Sequence, residues 1–220
     1  PVCTQDLTGT CATVSVLPLP TASISAPTIC YGTTGTVTIT GTAGAEVDYT
    51  INGGLAQQVT IGSTGTVDLT SAVLTSDAVY CLQSVSTISG TVTCTTPLTA
   101  CATIDVLPLP TVSISGATTI CEGTTATVTF TGTPGSSVNY TVDGVLATPI
   151  VLDATTGIFT VTTPALSSSS IYCLVDVTSA TTPSCVQSFT NCVTITVLPL
   201  PTATVSGTTT ICQGDNATLL

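Results

Sequence analysis

The chain has 220 residues and contains no Lys, Arg or His, so its eleven Asp and Glu leave a formal charge of −11. Without cations it cannot neutralise phosphates or dock on an anionic membrane surface, so nucleic acid and charged bilayers are excluded as partners. Without His it lacks the usual general base and the commonest metal ligand, so the expectation is no enzyme and no cofactor.

The other bulk features narrow the class. Hydrophobic residues make up 43 % of the chain and charged ones 5 %, which is not the composition of a disordered segment. About a quarter of the residues are Thr, a β-branched residue that suits a pleated, half-wet strand face. No apolar run approaches the roughly 18 residues of a membrane span.

In chain order, residues 1–20 close on Val16-Leu17-Pro18-Leu19-Pro20. Strands are then predicted by alternation near 21–25, 36–42, 46–52, 56–61, 65–71, 78–87 and 101–107. The run Val106-Leu107-Pro108-Leu109-Pro110 follows, and the pattern restarts near 111–115, 127–133, 137–143, 148–152, 157–163, 170–179 and 192–198. It ends on Val197-Leu198-Pro199-Leu200-Pro201. Thr28-Ile29-Cys30 returns as Thr119-Ile120-Cys121 and Thr210-Ile211-Cys212, and Tyr80-Cys81 as Tyr172-Cys173. The period is about 91 residues, too long for a β-solenoid. The register divides the chain into the tail of a preceding repeat (1–20), two full repeats (21–110 and 111–201) and the start of a following one (202–220). The chain therefore reads as a window on a longer polypeptide. Seven short strands per repeat predict tandem immunoglobulin-like β-sandwiches.

The eleven Cys follow the same register. They read as disulfides of an oxidising, extracellular setting, because metal thiolate sites need close Cys-x-x-Cys pairs that are absent here. Placing the second and sixth strands at one pole in opposite sheets predicts Cys30–Cys81 and Cys121–Cys173. The short segments between the last two Cys of each repeat predict Cys94–Cys101 and Cys185–Cys192, with Cys3–Cys11 following by register. Cys212 is left with a partner beyond residue 220.

Pro18, Pro20, Pro108, Pro110, Pro199 and Pro201 predict stiff junctions without a spacer, holding the repeats end to end as a rod. Calcium at such junctions would need recurring carboxylates. Instead Glu46 aligns with Ser137, Asp48 with Asn139, Asp77 with Ser169, and Glu122 with Tyr31 and Gln213. No structural calcium is expected, and the charge reads as a means of solubility. Asn139-Tyr140-Thr141 and Asn216-Ala217-Thr218 fit a glycan acceptor pattern.

The run from Pro108 through Thr119-Ile120-Cys121 to Thr127, repeated from Pro199 to Thr218, resembles the tandem immunoglobulin-like (PKD-like) repeats of very large Bacteroidota cell-surface proteins. Some of these are gliding-motility adhesins exported by the type 9 secretion system. The resemblance implies a surface filament whose ligand-binding tip lies elsewhere. The leading expectation is thus the structural shaft of a long extracellular filament or cell-surface adhesin. Its partners would be further copies of the repeat and other filament chains. A glycan- or surface-binding module and a laterally self-assembling fibre are the alternatives. The segment between Cys94 and Cys101 differs from that between Cys185 and Cys192, which favours a scaffold.

Overall fold

The computed structural model describes residues 14–207 and 210–216, together with Gly9. The chain divides into two compact units, Pro1–Pro108 and Leu109–Leu220. All regular structure among the described residues is β, and no helix is long and apolar enough to cross a membrane.

The first unit contains β1 (Ala22–Ser25), β2 (Thr28–Cys30), β3 (Thr36–Gly41), β4 (Glu46–Ile51), β5 (Gln57–Thr60), β6 (Thr66–Thr70), β7 (Ala78–Ser89), β8 (Val92–Pro97) and β9 (Cys101–Leu107). One sheet has the order β1-β3-β6 and the other β2-β9-β7-β4-β5. β8 and β9 share one edge of β7, with β9 along Ala78–Cys81 and β8 along Ser84–Ser89. The second unit contains β10 (Val112–Gly116), β11 (Thr119–Cys121), β12 (Thr127–Gly132), β13 (Ser137–Val142), β14 (Val145–Leu146), β15 (Ile150–Val151), β16 (Ile158–Thr162), β17 (Ser170–Thr178), β18 (Val186–Ser188) and β19 (Cys192–Leu198). Its sheets are β10-β12-β16 and β11-β19-β17-β13-β14, with β15 on β13 and β18 on β17. In each unit the opening strand splits between the two sheets, and its second half runs parallel to the last strand. This strand order is that of an immunoglobulin-like sandwich.

Alternation builds the cores. Val37 and Ile39 on β3 face Val47 and Tyr49 on β4 and Tyr80, Leu82 and Val85 on β7. The inward parity on β7 slips by one residue between Leu82 and Val85. A bulge absorbs the slip, because Tyr49 opposes Leu82 while Asp48 opposes Ser84. The same slip separates Leu174 from Val177 on β17. Phe130 fills the place of Ile39 and tilts against Tyr140, with ring centroids 4.9 Å apart. Each such buried side chain stabilises its unit by roughly 1.5–3 kcal/mol. The turn Asp143-Gly144 joins β13 to β14, both residues with positive φ (51° and 83°), which matches the two-residue hairpin preference for Asp-Gly.

The strands expected from alternation are present, but each unit holds more than seven. β2, β8, β11, β14 and β18 were not expected. β2 and β11 are three-residue strands that exist only because the end of β9 or β19 lies alongside them.

Candidate functional site

The cysteines form a recurring chemical constellation among the described residues. Cys81 on β7 and Cys101 on β9 lie directly opposite each other and are bonded, with S–S 2.02 Å and Cα–Cα 4.0 Å. Cys173 on β17 and Cys192 on β19 repeat the arrangement, with S–S 2.05 Å and Cα–Cα 4.0 Å. Each bond staples adjacent strands of one sheet and does not bridge the two sheets.

The expected pairings Cys30–Cys81, Cys94–Cys101, Cys121–Cys173 and Cys185–Cys192 are therefore corrected. Register explains why. Cys30 lies beside Leu107, while Cys81 lies beside Cys101. Those two points are six residues apart along β9, about 20 Å at the rise of a strand. Cys94 lies beside Thr87 on β7, six residues beyond Cys81, so it is about as far from Cys101. A disulfide requires Cα atoms within roughly 7 Å. The second and sixth expected strands, β3 and β7, do lie in opposite sheets, but Cys30 itself sits on β2, in the same sheet as β7. In the second unit Cys121 lies beside Leu198, six residues along β19 from Cys192. Cys185 precedes Val186, which opposes Thr178, five residues beyond Cys173 on β17. Cys30 and Cys185 are themselves disulfide-bonded, whereas Cys94, Cys121 and Cys212 are thiols. The Cys3–Cys11 expectation lies outside the described residues.

The carboxylates have structural partners that the alignment alone conceals. Asp77 Oδ1 accepts from Val106 N–H at 2.7 Å, and Ser169 Oγ accepts from the equivalent Val197 N–H at 3.0 Å. Asn52 Oδ1 accepts from Val79 N–H, and Asp143 Oδ1 from Ile171 N–H, both at 2.8 Å. At the bulge, Ser84 Oγ donates to Asp48 Oδ2 at 2.8 Å; in the other unit Asn139 Nδ2 donates to Asp176 Oδ1 at 2.7 Å. The acid has moved to the opposite strand and the bond survives. Asn139 is thus already engaged, and a glycan there would take one of its two Nδ2 hydrogens. Asp153 accepts from Thr156 N–H at 2.7 Å and from Thr155 N–H at 3.0 Å. Those bonds, the Thr156 amide first, hold its carboxyl below the usual Asp range. Among the described residues no group of three or more His, Cys, Asp or Glu could hold a metal ion.

The prolines divide by position. Val106 and Leu107 end β9, and Pro108 leaves the ladder exposed; Pro20 and Pro110 are buried, while Pro18, Pro199 and Pro201 are exposed. Pro20 O accepts from Thr96 Oγ1 on β8 at 2.8 Å. The β7–β8 hairpin therefore meets the chain just before β1 begins. That contact is invisible to a motif search, because it joins residues far apart in sequence.

No protein-family model matches the chain, and no curated protein matches it in sequence. Among solved structures it is similar to a marsupial T cell receptor at 14 % identity, over 84 % of this chain and 76 % of that one, with a TM-score of 0.49. A second marsupial T cell receptor match has 12 % identity over 88 % and 78 %, with a TM-score of 0.30. A DUF3823 family protein from Bacteroides ovatus has 12 % identity over 79 % and 98 %, with a TM-score of 0.26. The immunoglobulin-like assignment stands on the strand order described above. The disulfides point to an oxidising, extracytoplasmic compartment.

Proposed function

We propose that this chain is part of the shaft of a long extracellular filament or cell-surface adhesin, with a mechanical role and no catalytic site. Stiff proline junctions at Pro18–Pro20, Pro108–Pro110 and Pro199–Pro201 would hold successive repeats extended. The observation that carries the reading is the contrast between what recurs and what varies. The cross-strand cystines, the bulge pairs and the backbone caps recur position for position. The residues of the hairpins do not: β8 reads Val-Thr-Cys-Thr-Thr-Pro and β18 reads Val-Gln-Ser. A binding module would keep its contact residues and let the scaffold drift; here the scaffold is kept. The likeness to Bacteroidota adhesin repeats supports the same reading.

Small-angle scattering and negative-stain electron microscopy of the oxidised chain test it. A maximum dimension about twice that of one unit, with longer parent chains seen as single beaded strands, is the expected result. A compact particle with the units folded together would refute the shaft. Thick lateral bundles would favour the self-assembling fibre.

A further inference from the structure

Two of the three thiols among the described residues mark opposite ends of a repeat. Cys121 is exposed and lies beside Leu198, at the end of the last strand of the second sandwich. Cys94 is half-buried on β8, the strand whose Thr96 holds Pro20 just before the first strand of the first sandwich. One thiol thus marks the exit end of a repeat and the other the entry end.

The internal repeat supplies a second, independent observation. Cys30 holds the register position of Cys121, and Cys185 that of Cys94. Both are oxidised. Each is also less exposed than its counterpart: Cys30 is half-buried where Cys121 is exposed, and Cys185 is buried where Cys94 is half-buried. Within the two full repeats each position therefore occurs once as a thiol and once in a disulfide, and Cys212 repeats the Cys121 position as a second thiol.

We propose that Cys121 and Cys94 are the two complementary halves of a repeat-to-repeat disulfide, in which the exit-end cysteine of one repeat bonds to the entry-end cysteine of another copy of that repeat. Covalent continuity brings these ends together, since the exit of one repeat is the entry of its successor. The partner is chemically defined: an entry-end cysteine on a β8-like strand for Cys121, and an exit-end cysteine on a β2-like strand for Cys94. A small-molecule disulfide such as glutathione disulfide serves as oxidant. The exit-end thiolate attacks one glutathione sulfur and releases one glutathione thiolate. The entry-end thiolate then attacks the protein sulfur of the mixed disulfide and releases the second. Two protein thiols lose two electrons and two protons, and one glutathione disulfide becomes two glutathione thiols.

The inference rests on the reading of the chain as successive repeats of one fibre, and its test is separable from that reading. A further copy of residues 111–201 is inserted between Pro201 and Thr202, with Cys3, Cys11 and Cys212 changed to Ser. The protein is equilibrated with glutathione, alkylated and mapped without reduction. In the uninserted chain with the same Ser changes, Cys121 should be alkylated. In the extended chain Cys121 should be protected and found joined to the inserted counterpart of Cys185, with the inserted counterpart of Cys121 alkylated in its place. Changing the inserted counterpart of Cys185 to Ser should return the Cys121 thiol. Cys121 remaining alkylatable in the extended chain, or joined to Cys121 of a second molecule, would overturn the proposal. If the bond forms but microscopy shows bundles, the shaft reading falls and the bond stands. If single strands form while Cys121 stays a thiol, the reverse holds.

Discussion

Ser136→Ala should stabilise the second unit, and the internal repeat supplies its own control. Ser136 is fully buried, and its Oγ makes no hydrogen bond. Ala45 holds the same position in the first unit, equally buried. The backbones around the two match. Ser136 N–H donates to Thr133 O at 3.2 Å and its carbonyl accepts from Leu152 N–H at 2.9 Å, while Ala45 makes the same bonds to Thr42 and Ile61 at 3.1 and 2.8 Å. At the position itself the two sites differ by one hydroxyl; around it Pro134, Ser137 and Leu152 stand where the first unit has Ala43, Glu46 and Ile61.

A hydroxyl removed from water without a partner costs about 1–3 kcal/mol. Deleting one oxygen leaves a void of about 10–15 Å³, which subtracts only about 0.3 kcal/mol. The net gain is about 0.7–2.7 kcal/mol, or roughly 3–16 °C in the transition of a unit of this size. Calorimetry of the oxidised chain should show one of two transitions rise. Ala45→Ser should lower the other by a similar amount. An unchanged or lowered transition in Ser136→Ala would refute the reasoning, because it would mean that the hydroxyl has a partner in solution.

Replacing Cys81 and Cys101 together with Ala should cost the first unit about 3 kcal/mol, from the entropy of the 20-residue segment they close, read as a lower urea midpoint. Gly41→Ala should destabilise the same unit by about 1–3 kcal/mol, since its Cβ would collide with Thr21 O; Gly44→Ala, where a Cβ meets nothing, should cost only the strain of its positive φ. Burial raises the hydroxyl pKa of Tyr80 and Tyr172 above 10. The folded state therefore holds those protons more tightly than the unfolded chain, and the stability they confer is present below pH 10 and lost as the pH climbs through the raised values. Tyr172→Phe should flatten the alkaline fall in melting temperature of its unit. For Asp153 the sign is opposite: its pKa is lowered, so its contribution is present above the usual Asp value and is lost on acidification below it. Amide exchange at Thr155 and Thr156 should then accelerate, as it should in Asp153→Asn at neutral pH.

Much of the sandwich was legible, because its core obeys a local rule. Val37/Ile39, Val47/Tyr49 and Tyr80/Leu82 alternate with polar neighbours, and their counterparts ninety-odd residues on repeat the pattern. What was not legible depends on non-local register. Thr28-Ile29-Cys30 is too short to announce itself as a strand, and its parallel partner lies at the far end of the repeat. Missing β2 put Cys30 in the wrong sheet, and the cystine assignment failed from there. β8 carries no apolar alternation, because Val92–Pro97 is rich in Thr; only its pairing with the outer half of β7 makes it a strand. Tyr80-Cys81 and Ala100-Cys101 carry no mark that sets them opposite one another. That pairing follows once β7 and β9 are known to be neighbours.

The aligned acids taught the wrong lesson for a related reason. Their failure to recur argued against a shared site, and it equally concealed a shared structural role. What each position requires is an acceptor for a particular donor, and Asp, Asn and Ser all supply one. Asp77 and Ser169 cap the same strand; Asn52 and Asp143 hold the same amide. This explains how a chain with no cation tolerates its acids. The carboxylates bonded here rest on N–H and O–H donors, so none depends on a Lys or Arg, and their bonds do not require ion pairing. Acid then acts differently on this chain than on an ordinary domain. Protonation carries the side-chain charge from −11 towards zero and never to a polycation, so the self-repulsion that commonly drives acid unfolding has no source. Far-UV circular dichroism should be retained at pH 2 while solubility falls below pH 4. Acid unfolding to a soluble, expanded chain would show that the carboxylate bonds hold the fold together far more than the two apolar cores do.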